Sequence, residues 1–420
     1  MANNKHFRTV GIIAEYNPFH NGHAYHIQKA KELSQADFCI VVMSGDFVQR
    51  GAPAVYDKYT RTAMALSCGA DLVLELPSVF ATSSAEDFAA GSIALLDRLG
   101  VVDSVCFGSE CGDLNKLFGI ASVLAEEPDA YTEALRAGLK KGLSFPQARY
   151  QALISCKILS DEDASILASP NNILGIEYCK AIIKQKSSLT PLAIQRKGSG
   201  YHDPVLTLNQ FSSATGIRKI LREREKSPTP KDSSLLQVPE SVKQMMEKGY
   251  PVFPDDFSVL LNTELLRLSH SGTSYHTFAD VSEELAARIS RQLPDFLPFE
   301  EKVSSLKTRQ YTYTRISRAL LHIILGITSE QIITAKSEGY APYVRVLGFK
   351  KASADLMGQI KTRGSIPLIT KTAGAELALP EKVRFMLRQD FYCSHIYQTV
   401  LQDKYHINRK NEFTQSVVIL

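Results

Sequence analysis

Four apolar runs recur about every 30 residues at the start of the chain, and this spacing limits the possible folds more than any other feature. The runs begin near residues 10, 38, 72 and 104, and segments with helical periodicity separate them at 23–33, 56–67 and 85–99. Such a period is typical of strand–helix–strand units. Because the runs are nearly continuously apolar rather than alternating, we expect parallel strands covered on both faces. The first 110 residues therefore predict a doubly wound α/β domain.

The spacing of apolar residues predicts mostly helices in the rest of the chain. Residues 112–226 add one strand-like stretch at 189–194, and 227–234 combines two prolines with three serines, which predicts a linker. Amphipathic helices are expected near 257–268, 281–292 and 314–326, and the apolar end at 416–420 suits a short strand. We therefore expect two domains, 1–226 with the parallel sheet and 235–420 mainly α-helical.

Composition narrows the classes of function. The 420 residues carry a net charge of only +4, so nucleic-acid binding would have to depend on a local patch. No apolar run approaches the ~20 residues of a membrane span, and the polar N-terminus lacks the core of a signal peptide. The seven cysteines are scattered without a CxxC pair, which disfavours a disulfide framework or a zinc knuckle. We expect a cytoplasmic protein with no membrane attachment.

The segment 11–23, Gly-Ile-Ile-Ala-Glu-Tyr-Asn-Pro-Phe-His-Asn-Gly-His, is the strongest chemical signal. It follows the first strand and opens the first helix, where unpaired amides and the positive end of the helix dipole attract phosphate. His20 and His23 share one face of that turn, and both can donate an N–H group to a phosphate. Gly22 keeps side-chain bulk away from a nucleotide. We predict that His20 and His23 are catalytic and stabilise charge on an α-phosphate.

Two alternatives remain open for this segment. Asn21 and Gly22 also make a common turn, which would leave the histidines as surface residues. The pair could instead belong to an HxxH metal site, but no neighbouring Cys, Asp or third His is placed to complete a zinc site. We therefore predict no protein-bound metal.

The string Phe19-His-Asn-Gly-His23 resembles the HxGH motif of the nucleotidyltransferase and class I aminoacyl-tRNA synthetase superfamily. The whole 11–23 segment is similar to one branch of it, the bacterial tRNA(Met) cytidine acetate ligase family. Five later strings resemble the same family in order: Met43-Ser-Gly-Asp-Phe-Val-Gln-Arg-Gly51, Phe107-Gly-Ser-Glu110, Ser169-Pro-Asn-Asn-Ile-Leu-Gly175, Ser212-Ser-Ala-Thr-Gly-Ile-Arg218 and Lys307-Thr-Arg-Gln-Tyr-Thr312. The resemblance covers both expected domains.

The resemblance implies a Rossmann-like, ATP-binding catalytic domain at 1–226 and a helical tRNA-binding domain at 235–420. The implied enzyme activates acetate as acetyl-adenylate and transfers the acetyl group to N4 of the wobble cytidine of elongator tRNA(Met). Its substrates would be ATP, acetate and tRNA, and Mg²⁺ is expected because it neutralises triphosphate charge. The expected ATP-binding residues are Gly11, Ile12, Ile13, Ala14, Glu15, Tyr16, Asn17, Pro18, Phe19, His20, Asn21, Gly22, His23, Gly108, Asn171, Arg196, Ser213, Thr215 and Arg218.

The string 213–218, Ser-Ala-Thr-Gly-Ile-Arg, resembles the second phosphate signature of the superfamily, Ser-Ser-Thr-x-x-Arg. Hydroxyls at a helix N-terminus, with a cation one turn later, can hold the β- and γ-phosphates. Ala214 stands where the signature has its second serine, so that contact depends on Ser212. A plain helix N-cap is the alternative.

Three further residues are expected beside the nucleotide. Gly108 ends the fourth strand and would let the backbone approach a ligand, although an ordinary strand-to-helix turn is the alternative. Asn171 follows Pro170, where its amide could bind adenine or ribose or could cap a helix. Arg196 follows the last strand of this region and suits a phosphate or a ribose.

Arg50 follows the second strand, together with Asp46 and Gln49, and therefore belongs to the same sheet edge. Its guanidinium could receive the acetate carboxylate in a bidentate pair. An internal ion pair is the alternative.

The segment 302–318 contains five basic residues and no acidic residue: Lys302, Lys307, Arg309, Arg315 and Arg318. Tyr311 and Tyr313 are interleaved, which suits phosphate contact with base stacking. A second cluster at 343–351 has a similar composition. A solvated helix face is the alternative. The predicted tRNA-binding residues are Lys307, Arg309, Arg315 and Arg318.

Two other functions are compatible with parts of the chain. A small-molecule nucleotidyltransferase that makes a dinucleotide cofactor would need little beyond the α/β domain, and the long segment 235–420 argues against it. An RNA-binding protein with a vestigial nucleotide fold would not need His20 and His23.

Overall fold

The computed structural model describes residues 7–143, 145–160, 163–196, 213–226, 237–308 and 311–420. The strands in these residues are β1 Thr9–Ala14, β2 Phe38–Ser44, β3 Phe47–Val48, β4 Ala52–Pro53, β5 Leu72–Leu76, β6 Ser104–Ser109, β7 Thr190–Gln195, β8 Val344–Phe349, β9 Leu368–Ile369 and β10 Val418–Ile419. The helices are α1 Asn21–Ser34, α2 Lys58–Ser67, α3 Ser78–Ala81, α4 Ala85–Arg98, α5 Leu114–Glu126, α6 Asp129–Lys140, α7 Phe145–Ser155, α8 Ala164–Ala168, α9 Pro170–Gln185, α10 Ala214–Lys226, α11 Glu240–Glu247, α12 Ser258–His270, α13 Glu283–Arg291, α14 Phe299–Leu306, α15 Tyr313–Leu325, α16 Ser329–Ser337, α17 Ala354–Arg363 and α18 Glu381–Tyr405.

One eight-stranded sheet forms the centre of the molecule, in the order β10-β8-β5-β2-β1-β6-β7 with β9 beside β8. Strands β1, β2, β5, β6 and β7 pair in parallel with one another, and they coincide with the five strands predicted in the first domain. The chain first moves outward from β1 to β5 and then returns to β6 on the other side of β1. Such sheets bind ligands at this point of reversal. The predicted doubly wound fold is confirmed.

Strand β8 comes from the segment predicted to be mainly helical, and it runs antiparallel to β5 with Glu75 opposite Arg345. Arg345 does not belong to the second basic cluster expected at 343–351, because it is only 2% exposed within the sheet, whereas Lys350 is half-buried and Lys351 is exposed. The strand expected at 416–420 is confirmed as β10, which pairs with β8.

Helices cover both faces of the sheet, and alternate residues of β2 enter different cores. Ile40 and Val42 join the core that includes α4 and α9, whereas Val41 and Met43 join the core that includes α1 and α2. Helix α10 adds Ile217 to the second core. Burial of both faces explains why the strands are continuously apolar.

The three amphipathic segments predicted in the second half are helices α12, α13 and α15. They pack into the same core as one face of the sheet. The linker predicted at 227–234 lies outside the described residues, and the division into domains 1–226 and 235–420 stays a prediction. The sheet takes strands from both segments. None of the helices in the described ranges combines the length and apolar composition that a membrane crossing requires.

Four buried charged side chains join the two halves of the chain, and we call Lys58, Glu75, Arg345 and Glu412 the charge cluster. The Lys58 ammonium lies 2.8 Å from Glu75 Oε1 and 2.9 Å from Glu412 Oε2. Arg345 Nη1 lies 2.8 Å from Glu75 Oε2, and its Nη2 donates to Glu412. Burial alone would raise the pKa of Glu412, but Lys58 and Arg345 bring it down to about 2. Each ion therefore meets two opposite charges, which compensates for its removal from water.

Candidate active site

The histidine loop, residues 15–20, leads from β1 into α1 and is held by hydrogen bonds and packing. The Asn17 side chain accepts a hydrogen bond from the Val55 amide at 2.8 Å. The Tyr16 and Phe19 rings are buried in the core, with their centroids 4.7 Å apart. The loop therefore enters the helix in a fixed conformation, as a preorganised site requires.

Two imidazoles cap the first turn of α1. Nδ1 of His20 accepts from the Gly22 amide at 3.1 Å, and Nδ1 of His23 accepts from the His20 amide at 3.2 Å. This is a capping box in which histidines take the usual places of Ser or Thr and of Glu or Gln. The two rings stack with their centroids 3.7 Å apart. The structure thus brings His20 and His23 together, as predicted.

The cap assigns a tautomer to each ring. Because both Nδ1 atoms accept hydrogen bonds from the backbone, each neutral ring carries its proton on Nε2. Burial lowers the pKa of His20 to about 3, and Arg196 and Arg218 act in the same direction. Burial, His20 and Arg196 also lower the pKa of His23. At neutral pH the site therefore offers two uncharged Nε2–H donors.

His26 lies one turn further along α1 and is not among the predicted site residues. Burial and then Arg196 lower its pKa to about 4, while a hydrogen bond with the Cys106 backbone opposes this shift. Its Nε2 atom is buried without a hydrogen-bond partner among the described residues. The i, i+3, i+6 spacing of three histidines is the sequence signal that points to it.

Arg61 on α2 is a second residue that the predictions omit. Its fully buried guanidinium donates to the backbone oxygens of Glu15 and Ser44, at the ends of β1 and β2. It therefore joins the histidine loop to the neighbouring strand. Its position one turn after the N-terminus of α2 gives no such signal in the sequence, because the partners are backbone groups.

Helix α10 brings the second predicted phosphate motif to the histidine loop. Ser213 Oγ accepts from the Gly216 amide at 3.1 Å, as an N-cap does. Arg218 donates through Nη1 to the Asn17 oxygen at 2.7 Å and through Nη2 to Thr215 Oγ1 at 3.0 Å. The Ser213 contact thus fits the plain N-cap alternative, whereas Arg218 and Thr215 lie at the loop that carries the histidines.

Gly108 and Arg196 meet at the ends of β6 and β7. The Arg196 amide donates to the Ser109 oxygen at 2.9 Å. A Cβ at Gly108 would lie 3.2 Å from Cγ of the exposed Arg196 side chain, so glycine lets the arginine lie across the strand end. Arg196 also acts electrostatically on His20 and His23. The structure therefore assembles these four predicted residues at one edge of the sheet.

Asn171 and Asn172 begin α9, and the Glu110 carboxylate closes its first turn. Glu110 accepts from the Asn171 side chain at 2.6 Å and from the Asn172 amide at 2.9 Å. The Asn172 side chain accepts in return from the Glu110 amide at 2.8 Å. These reciprocal bonds support the capping alternative for the pair and use the side-chain nitrogen of Asn171.

The predicted contacts in β1 lie mostly inside the sheet. A Cβ at Gly11 would lie 2.8 Å from the Leu96 methyl groups, so close packing against α4 explains this glycine. Ile12 is fully buried, whereas Ile13 and Ala14 are half-buried at the end of the strand. The side-chain positions of Gly11 and Ile12 therefore lie inside the fold, and contact of their backbone with ATP stays a prediction.

The rim loop, residues 45–53, follows β2 and contains the β3–β4 hairpin and Arg50. The Gln49 amide donates to Glu15 Oε1 at 3.0 Å, which links the rim loop to the histidine loop. Asp46 accepts from the first amide of α2 at 2.8 Å, and burial raises its pKa to about 6. Asp46 thus supports α2, and the half-buried Arg50 is the candidate for acetate.

The structure divides the predicted basic patch. Lys302 is buried, and its ammonium donates to two backbone oxygens at 2.7 and 2.6 Å. Arg318 forms a bidentate ion pair with Asp280, at 2.9 and 3.1 Å. The prediction that Arg318 contacts tRNA is corrected accordingly, because its guanidinium is used inside the protein. The predicted contacts Arg309 and Ser212 lie outside the described residues.

Lys307, Tyr313 and Arg315 remain at or near the surface. The exposed Lys307 and Tyr313 line an open groove of about 720 Å³, together with four hydroxyl-bearing residues: Ser304, Thr308, Thr312 and Thr314. Arg315 lies over the Tyr311 ring, 4.9 Å from its centroid. Tyr311 itself is buried and cannot stack on a base, which corrects that prediction.

Helix α15 packs on the rim loop. Ser317 Oγ donates to the Gly51 oxygen at 2.8 Å. Gly51 has a φ of +77°, and a Cβ there would lie 2.3 Å from the Arg318 backbone nitrogen, so only glycine fits. The helix that begins beside the groove is thus attached to the loop that carries Arg50.

Comparison with known proteins identifies one family. Residues 7–412 match the family model described as HIGH Nucleotidyl Transferase. The tRNA(Met) cytidine acetate ligase of Acetivibrio thermocellus is 38% identical over 418 residues, which cover 98% of this chain and 100% of that protein. The ligase of the same name from Clostridium novyi is 40% identical over 394 residues, which cover 93% and 95%.

Solved structures agree with this comparison. Apo TmcAL of Thermotoga maritima matches with a TM-score of 0.90 at 31% identity, over 98% of this chain and 99% of that chain. The same protein bound with alpha-thio ATP matches with a TM-score of 0.87 at 32% identity over the same shares. The chain therefore belongs to the tRNA(Met) cytidine acetate ligase family of the HIGH nucleotidyltransferases.

Proposed function

We propose that this protein forms acetyl-adenylate from acetate and ATP and transfers the acetyl group to N4 of the wobble cytidine of elongator tRNA(Met). One observation carries the proposal: the stacked His20 and His23 rings hold two Nε2–H donors at the N-terminus of α1. The names of the relatives support the tRNA substrate, and the alpha-thio ATP complex of TmcAL supports the nucleotide.

In the first step, an acetate oxygen attacks the α-phosphorus of ATP and the bond to pyrophosphate breaks. Negative charge grows on the α-phosphate oxygens and on the leaving group. The two neutral imidazoles donate hydrogen bonds to these oxygens, and the helix cap has already oriented them, so they need no reorganisation during the reaction. In the second step, the cytidine N4 attacks the acetyl carbon, the bond to AMP breaks, and AMP and one proton are released.

The other residues at this edge are proposed to bind the phosphates and the nucleoside. Arg218 and Thr215 suit the β- and γ-phosphates, because a guanidinium and a hydroxyl both donate to phosphate oxygens. Arg196 and Gly108 are proposed to contact a ribose or the α-phosphate at the strand ends. Asn171 is proposed as a nucleoside contact because of the family resemblance, although its side-chain nitrogen already donates to Glu110. Mg²⁺ is proposed to arrive with ATP, because the residues proposed for the β- and γ-phosphates, Arg218 and Thr215, offer N–H and O–H donors and not carboxylate ligands.

Arg50 is the proposed contact for acetate, since a guanidinium can pair with a carboxylate through two parallel hydrogen bonds. For tRNA we propose the groove beside Lys307 and Tyr313, with Arg315 and Arg309 adding positive charge. Because α15 is attached to the rim loop, RNA bound at this groove would lie next to the loop that carries Arg50.

We propose the catalytic role for residues 1–226 and tRNA binding for residues 235–420. The C-terminal segment completes the sheet as well, so each role is proposed for a surface rather than for a separable unit. The proposed location is the cytoplasm, where tRNA is available.

Radiolabelled acetate tests the reaction. With ATP, label should enter tRNA, and AMP and pyrophosphate should form in equal amounts. ATP–pyrophosphate exchange should require acetate but not tRNA. Exchange that ignores acetate would contradict the ligase, and labelling of tRNA from acetyl-CoA without ATP would overturn it.

A charge reversal tests the groove. Lys307→Glu and Arg315→Glu should each weaken tRNA binding and spare acetate-dependent exchange. Each lost phosphate contact should flatten the slope of log affinity against log salt by about 0.7–0.9. Lys382→Glu is the matched control, because its side chain is 78% exposed on α18, outside the patch. An unchanged salt slope in both variants would leave the segment as a solvated helix face.

A further inference from the structure

Arg61 is a fully buried cation whose hydrogen-bond partners among the described residues are backbone oxygens. Nη1 donates to the Glu15 oxygen at 2.6 Å and to the Ser44 oxygen at 3.1 Å. Nη2 donates to the Gly45 oxygen, and Nε donates to the Tyr56 oxygen at 2.8 Å. Removing a guanidinium from water is costly unless its N–H groups are bonded. This fork is bonded to four carbonyl groups on three segments of the chain.

We propose that Arg61 is a positioning residue that sets the histidine loop against the rim loop during adenylate formation. The parallel pairing of β1 with β2 extends to Ala14 and Met43. Just beyond this point, the chain at Glu15 enters one loop and the chain at Gly45 enters the other. The Arg61 guanidinium bridges these two segments at the point where the hydrogen bonds between β1 and β2 have ended.

This inference rests on the proposed function, in which residues of the histidine loop contact ATP and Arg50 of the rim loop contacts acetate. The distance between the two loops therefore sets the distance between the two reactants. The histidine loop ends at His20, and the rim loop carries Arg50, the proposed acetate contact. The acetate oxygen must approach the α-phosphorus in line, and a misplacement of about 1 Å in such geometry can cost on the order of 10²-fold in rate. The bond from the Gln49 amide to Glu15 is a second described link between the loops.

Lysine cannot reproduce the bridge. Its ammonium group is a compact charge with three donors, whereas the planar guanidinium directs five N–H groups in fixed directions. Arg61→Lys keeps the charge but cannot reach both strand ends in the same geometry. Arg61→Gln keeps two donors without a buried charge, and it provides a second variant if the lysine variant does not fold.

The test measures ATP–pyrophosphate exchange per active site, with active sites counted from the burst of adenylate in a single turnover. We expect Arg61→Lys to lower this rate by about 10–100-fold and to raise the KM for acetate. Its affinity for α,β-methylene-ATP should stay near the wild-type value, because Arg218 still holds the histidine loop through the Asn17 oxygen. A merely structural role would reduce the number of active sites but not the rate at each site.

Arg98→Lys is the matched control. Arg98 also donates to a backbone oxygen, that of Ala341 at 2.7 Å, but it lies outside both loops. This variant should lose stability without a change in exchange per active site. An unchanged rate per site in both Arg61 variants would overturn the inference and leave the proposed function intact. Wild-type protein without acetate-dependent exchange would overturn the proposed function and the inference together.

Discussion

The histidine pair and the charge cluster lie beside the same sheet, but their polar groups have different partners. In the charge cluster, four buried ions each contact two opposite charges and join distant parts of the chain. In the histidine pair, the helix cap uses both Nδ1 atoms, and one N–H group on each ring is left for a ligand. Stability and reactivity therefore depend on different side chains, and substitutions can separate the two properties.

Removing one ion from the charge cluster should have the largest effect. Arg345→Met leaves Glu75 and Glu412 buried with one cation between them, and the loss of one partner from such a group typically costs about 3–5 kcal/mol. The free energy of unfolding in urea measures this cost. Exchange activity per folded molecule should remain near the wild-type value.

A double substitution sharpens that prediction. Adding Glu412→Gln to Arg345→Met removes the excess negative charge, so the double variant should be more stable than the sum of the single costs predicts. Strictly additive costs would show that the four ions do not act as one cluster.

The histidine pair should show the opposite behaviour. His20→Asn and His23→Gln preserve a capping box, because Asn is a good N-cap and Gln accepts the hydrogen bond at the third helical position. Both variants lack the imidazole Nε2–H donor, and the amide N–H groups of Asn and Gln do not reproduce its position and direction. Acetate-dependent exchange should therefore fall by about 10²–10³-fold in each, with little change in the free energy of unfolding.

His270→Gln is the control for this pair, because His270 is exposed on α12, away from the site. It should change neither exchange nor stability. Near-normal exchange in either His20→Asn or His23→Gln would remove the phosphate role from that ring.

The smallest expected effect, counted per pH unit, is on the acid side of the stability profile. An unfolded histidine has a pKa near 6.5, whereas burial lowers the pKa of His26 in the folded protein to about 4. The unfolded state therefore binds more protons below pH 6.5, and stability is lost as the pH falls from 6.5 toward 4. His26→Gln should reduce this loss by up to ~1.4 kcal/mol per pH unit.

The measurement compares the free energy of unfolding of wild type and His26→Gln across this pH range. The difference between the two proteins is used because Asp46 and Asp390 titrate in the opposite sense, since burial raises the pKa of each to about 6. Equal acid losses in both proteins would mean that His26 is not a buried neutral base.

The parallel strands and the histidine motif could be predicted because both are local in the sequence. A strand covered on both faces is apolar at consecutive positions, as in the run that became β2. The shared face of His20 and His23 follows from a spacing of three on a helix. The use of each Nδ1 atom by the backbone could not be predicted, because it depends on the conformation of the loop before the helix.

The internal ion pairs of Arg345 in strand β8 and of Arg318 in the basic patch could not be predicted, and the physical reason is the same for both. Arg345 looks like a surface cation because its carboxylate partners come from remote parts of the chain. Arg318 belongs to an acid-free run, yet Asp280 reaches it from another element. A count of charges along the sequence cannot detect partners that only folding brings together.

The pairing of β5 with β8 has a consequence for how the protein is made. At about 5–20 residues per second, the interval between synthesis of residue 76 and residue 349 is on the order of tens of seconds. During this interval the apolar β5 edge has no neighbour on one side, and an unpaired strand edge is a template for wrong pairing. Glu75 also lacks Arg345 and Glu412, the later members of the charge cluster, during this interval. The nascent chain therefore has to protect an unfinished sheet until most of its own C-terminal half has left the ribosome.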